Sequence, residues 1–72
     1  MTGAQLKAIL ARHGLRQKDC AWVCGVHPRQ ARVWCNEESP VPQYAAIIMA
    51  ALDEGLITPR WLARKIKKQP PN

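Results

Sequence analysis

The stretch "GLRQKDCAWVCGVHPRQARVW", residues 14–34, constrains this chain more than any other. Cys20, Ala21 and Cys24 recur at helical spacing, Gly25 interrupts the run, and Pro28 restarts it. Glycine tolerates the left-handed backbone at a helix end. Proline fits the first helical position, where its missing N–H has no partner to lose. Two short helices must therefore meet across about three residues. His27 falls at the cap position of the second, where Ser or Thr is commoner. Ala21, four residues before Gly25, lets the two helices cross closely, and Val26 plugs the space beneath the turn. A two-helix unit of this kind holds its second helix proud of the surface.

The rest of the chain reads as helix too. A first helix over about 2–13 starts on Thr2 and buries Leu6, Ile9, Leu10 and His13, with Gly14 as its stop. The second runs from 16 or 17 to 24, and the third from 28 to about 36, with Ala31, Trp34 and Cys35 inward. "EESPVP", residues 37–42, is a loop because both prolines resist a helix interior. A fourth helix over about 42–54 offers Tyr44, Ile47, Ile48, Ala51 and Leu52 as its buried stripe. Thr58 and Pro59 open a fifth, over about 59–67, with Trp61, Leu62 and Ile66 apolar. The fold class is all-α: a single compact domain of five helices over residues 1–67. Residues 68–72 are expected to be a frayed tail.

At 72 residues the chain suits one small domain, with a core made mostly of aliphatic side chains since Phe is absent. The net charge of +6 favours a polyanionic partner. Its distribution says more. Residues 1–36 carry six Lys/Arg against one acid, 37–55 carry four acids and no base, and 56–72 carry five bases and no acid. Three cysteines cannot all pair within one chain, so a reduced, cytoplasmic protein is expected. No signal peptide precedes the first helix, and "AAIIMAAL" is too short to span a bilayer, so no membrane role is expected. Cys20 and Cys24 share a helix face and could in principle hold zinc, but they fall at positions a helical core buries; no metal or other cofactor is expected. There is no Ser-His-acid order, no apolar carboxylate pair and no glycine-rich phosphate loop. The chain does not read as an enzyme, and no small-molecule ligand is evident.

In that stretch Gly14, Leu15, Gln17, Ala21, Gly25, Val26 and Trp34 sit at offsets that resemble the helix-turn-helix of Cro/lambda-repressor-type regulators of phage and bacteria. Residues 39–52 are also similar to the fourth helix of small members of that family, so the likeness covers roughly residues 3–54. The resemblance implies a five-helix lambda-repressor-like DNA-binding domain, with the helix-turn-helix in the second and third helices. It further implies a homodimer on a near-palindromic double-stranded DNA operator. It assigns base reading to the third helix, through Pro28, Arg29, Gln30, Arg32 and Val33. It assigns phosphate contact to Gln17, with Arg16, Lys18, His27 and Asn36 as companions. The chemistry agrees at two places. An arginine fork matches guanine O6 and N7, and Val33 can meet a thymine methyl. Phosphates suit the positive end of a helix.

Two readings from other classes stand beside this one. One is a protein-interaction module, such as an antitoxin or anti-regulator, gripping a partner with Trp22, Val23 and Trp61. The other is charge-driven binding to any nucleic acid. Trp22 and Val23 depart from the resemblance, which has exposed polar residues there. They are expected to pack under the fifth helix or against a second subunit.

Overall fold

The computed structural model of the chain describes residues 1–71, and among them it contains five α-helices and no strand. α1 spans Gly3–Arg12, α2 Gln17–Cys24, α3 Pro28–Cys35, α4 Gln43–Asp53 and α5 Pro59–Lys65. Asn72, the last residue of the expected tail, lies outside the described residues.

The helix starts follow from local chemistry. Thr2 Oγ1 accepts from the Gln5 N–H at 3.1 Å, and Gln5 Oε1 accepts in return from the Thr2 N–H at 2.8 Å. This reciprocal capping box satisfies two donors that the first turn of α1 would otherwise leave open. Thr58 caps α5 through the Trp61 N–H at 3.0 Å. His27 caps α3, its Nδ1 accepting from the Arg29 N–H at 3.1 Å, with Pro28 next in line. An accepting Nδ1 carries no proton, so the neutral ring's proton sits on Nε2.

The ends share one device. After α2, the Val26 N–H reaches back to the Ala21 carbonyl at 2.9 Å while Gly25 adopts φ 72°. α1 and α4 close in the same way. After α3 the left-handed position is taken by Glu37 at φ 60°, the one non-glycine with positive φ among the described residues. A side chain there carries a cost of about 1 kcal/mol that glycine would not.

Packing then sets the helices around one core. Leu6, Cys20, Cys35 and Met49 are the largest wholly buried side chains, joined by Ile9, Leu10, Ala31, Trp34 and Ala45. α2 and α3 make the most extensive helix–helix contact, with α1 lying across α3 and α4 closing against α1 and α2. Ala21 is 1% exposed, and Val26 is packed against the core from the turn. Tyr44 meets the Trp34 ring edge-on, with centroids 6.4 Å apart. Gly3 shows how tight the assembly is: a Cβ there would run into the carbonyl oxygens of Trp34 and Cys35. α1 therefore rests directly on the backbone at the end of α3. The Cα radius of gyration, 11.1 Å, equals the roughly 11 Å of a compact chain this long.

Several expectations need correction. The buried stripe of α4 is Ala45, Met49 and Leu52, while Tyr44 is 49% and Ile47 60% exposed. "AAIIMAAL" is apolar nearly all round, so it holds no polar face to mark the inside, and the neighbouring helices choose. His13 is exposed and bonds Asp53 instead of joining the core. Trp61, read as an apolar residue of the fifth helix, is 40% exposed, with the Lys65 ammonium 5.7 Å from its ring centroid, which goes against no expectation. The segment expected to fray from residue 68 lies against α2: the Lys68 carbonyl accepts from Trp22 Nε1 at 2.9 Å, and the Pro71 carbonyl from Arg16 at 3.3 Å.

Candidate nucleic-acid interface

Gly25, Val26 and His27 join the end of α2 to the start of α3, and the crossing of the two helices brings the start of α2 to the same groove as the start of α3. Each start carries the positive end of a helix dipole. Between them runs an open groove. Arg16, Gln17 and Lys18 line it from α2, and His27, Pro28, Arg29 and Arg32 from α3. Arg29 and Arg32, one helical turn apart, are both exposed.

The charges here are not equivalent. Arg16 is tied to Asp19 through Nε at 2.9 Å and a second nitrogen at 3.0 Å. The same carboxylate accepts the Arg16 backbone N–H at 2.8 Å, so Asp19 both caps α2 and neutralises its neighbour. Those hydrogen bonds hold the Asp19 carboxyl below its ordinary range. Among the described residues no carboxylate engages Arg29 or Arg32. A guanidinium with five donors and no internal partner is ready to accept an external anion or a base edge.

The remaining site candidates scatter. Gln17 lines the groove but is half-buried. Burial pushes the Cys35 thiol above its ordinary value, and the nearby Lys7 charge, then Gln17, only partly offsets the push. Gln30 and Val33 are half-buried on the inward flank of α3, so less of each is open than the resemblance implies. Asn36 caps the far end of α3, where its amide reaches Glu38 at 3.5 Å, away from the basic groove and beside two acids. The structure thus brings together seven of the ten candidates and leaves Gln30, Val33 and Asn36 outside the groove.

Of Lys65, Lys67 and Lys68, which read in the sequence as a solvated basic helix end with DNA-backbone contact as the alternative, one also reaches this edge. Lys68, on the docked tail, lines a second concavity with Trp22, Gly25 and Gln69, and this concavity shares Lys18, His27 and Pro28 with the first. The signal for it was Trp22 in a position where an exposed indole needs a cover.

The cysteines behave as core. Cys20 and Cys35 are wholly buried and Cys24 is half-buried, all three unpaired. A hydrogen bond to Cys24, then burial, pushes the Cys20 thiol far above its ordinary value. No helix among the described residues is long and apolar enough to cross a membrane.

What fold and geometry define together is an all-helical, five-helix domain with a cationic edge between two helix starts. No protein-family model, curated protein or solved structure matches the chain.

Proposed function

We propose that the chain is a sequence-specific double-stranded DNA-binding transcriptional regulator of the Cro/lambda-repressor type, a repressor or autoregulator of phage or mobile-element origin. In this reading α2 and α3 form the helix-turn-helix, and α3 enters the major groove. The observation that carries it is the pair Arg29 and Arg32: exposed, unpaired, and set on a rigid helix beside a basic groove. Each can fork onto a guanine O6 and N7, which supplies base discrimination. Lys18 and His27, through its Nε2 proton, fit phosphates on either side, aided by the two helix dipoles.

The reading includes a homodimer on a near-palindromic operator, with two copies of α3 about 34 Å apart on one DNA face. It places the protein in a reducing cytoplasm, in keeping with three free thiols. The protein-interaction alternative draws less support. Two of its three contact residues, Trp22 and Val23, are half-buried beside the tail and α5.

The test is selection from a randomised duplex pool, followed by salt titration of the selected and a scrambled duplex. A base reader yields one enriched near-palindrome and keeps its preference as salt rises. A charge-only binder enriches nothing and loses all affinity along a steep slope. An interaction module binds neither duplex, which would end the proposal.

A further inference from the structure

Two hydrogen bonds fasten the C-terminal segment to α2 and to its N-cap. Trp22 Nε1 donates to the Lys68 carbonyl at 2.9 Å. Pro70, itself exposed, borders an open cleft that Leu15, Trp22 and Val23 line on one side and Arg60 and Ala63 on the other. The Pro71 carbonyl accepts from Arg16 at 3.3 Å. Two consecutive prolines stiffen this stretch before it docks, so little chain entropy remains to be lost. Trp22 thus has two roles at once: its ring walls the cleft and its N–H holds the strand.

Fastening the segment there fixes what it carries. Lys68 lines the concavity that continues the basic groove, beside Lys18, His27 and Pro28. A lysine held by its own backbone keeps only side-chain freedom, so it presents its ammonium to one region of the surface.

We infer that the C-terminal segment is a strap that adds Lys68 to the phosphate-contacting surface, and that Trp22 is the positioning residue that holds it there. The inference rests on the DNA-binding reading. It adds a contact outside the two-helix unit, and a reason for an indole at position 22.

Two substitutions in the full chain separate charge from strap. Lys68→Ala removes the ammonium and keeps the carbonyl that Trp22 binds. Trp22→Phe keeps an aromatic ring and removes the donor. Lys68→Ala is expected to weaken selected and scrambled duplexes equally and to lower the slope of log K against log salt by about 0.9, the value for one phosphate contact. Trp22→Phe is expected to reproduce most of that loss. Without DNA, it should also speed tryptic cleavage after Lys68, with the helical circular dichroism unchanged. An unchanged slope in Lys68→Ala, while Arg29→Ala still loses the selected duplex, overturns the strap and leaves the regulator standing. A reduced slope in Lys68→Ala but not in Trp22→Phe also overturns it, since the lysine then acts without being held. Failure of the unaltered protein to bind any duplex removes the regulator reading and the strap together.

Discussion

Where α1 and α4 end side by side, Arg12 forks onto Asp53 at 3.2 and 2.8 Å, and His13 reaches the same carboxylate at 3.0 Å. At the start of α3, Arg29 and Arg32 meet no carboxylate among the described residues. Both places lie on the surface and both carry arginine, yet one is internally complete and the other is open. An arginine with an acid beside it has its donors used and its field cancelled. An arginine without one keeps both for a partner. The acids of residues 37–55 could have served either region, and in the fold Asp53 serves α1 while Glu38 turns to Asn36. The difference marks which arginines hold the molecule together and which face outward.

The largest effect that tests this contrast comes from α3. Replacing Arg29 and Arg32 together by Ala should cost on the order of 2–6 kcal/mol on the selected duplex, from about 1–3 for each. Binding to scrambled DNA should fall far less, and the thermal midpoint should hardly move, since neither side chain has an internal partner. Arg12→Ala should do the reverse, lowering the midpoint and sparing the affinity. Fluorescence anisotropy with both duplexes, beside a melting curve, reads the two quantities. Equal losses on selected and scrambled DNA for the α3 pair would refute base reading.

Gly3→Ala comes next, and it acts on the platform under α3. Its methyl meets backbone oxygens of Trp34 and Cys35, which cannot swing aside as a side chain could. α1 must lift from α3, at a cost of about 1–3 kcal/mol. Chemical denaturation should show the loss directly. DNA affinity measured well below the midpoint should change little in comparison with the arginine pair, because the folded fraction still presents the same face.

Much of this arrangement was legible in the residues. Gly25 and Pro28 mark the turn, and the offsets of Ala21, Ala31 and Trp34 mark the inward faces. Arg16 and Asp19 are three apart at a helix start, so their pairing could be read as well. Three features could not. The apolar run of α4 has no polar side to orient it. Glu37 adopts a left-handed backbone that nothing in "NEESP" singles out. The partners Arg12 and Asp53, and Trp22 and Lys68, are 41 and 46 residues apart, so only the packed fold brings them together. Of the ten site candidates, the seven nearest the two helix starts line the groove, while Gln30, Val33 and Asn36 do not, because the packing of α3 turns Gln30 and Val33 inward and Asn36 lies at its far end.

A smaller effect tests the closed side of the contrast by acid. Arg12, then His13, hydrogen-bond to Asp53 and hold its carboxyl below the ordinary range. A carboxyl depressed in the folded state lends stability that is complete above its unfolded value, about 3.9. That stability fades as pH falls through the lower folded value. Melting curves of the parent should thus drop on the acid side of about pH 4. Asp53→Asn should start lower at neutral pH and fall less steeply there, while Arg29→Ala should follow the parent's slope. A parallel acid limb in Asp53→Asn would show that Asp53 is not the group that couples folding to pH.

Arg16 is the intermediate case, and it gives the smallest and sharpest test. It lines the open groove as Arg29 does, but it is paired to Asp19 as Arg12 is to Asp53. If pairing decides the role, Arg16→Ala should change the salt slope by clearly less than the roughly 0.9 expected for a full phosphate contact. Asp19→Asn should then raise affinity for all duplexes, because an amide oxygen can still cap α2 while no carboxylate offsets the guanidinium charge. An Arg16→Ala slope change as large as that of Lys18→Ala would mean that DNA opens the ion pair on binding. Proximity to the groove, and not the internal partner, would then determine which arginines face outward.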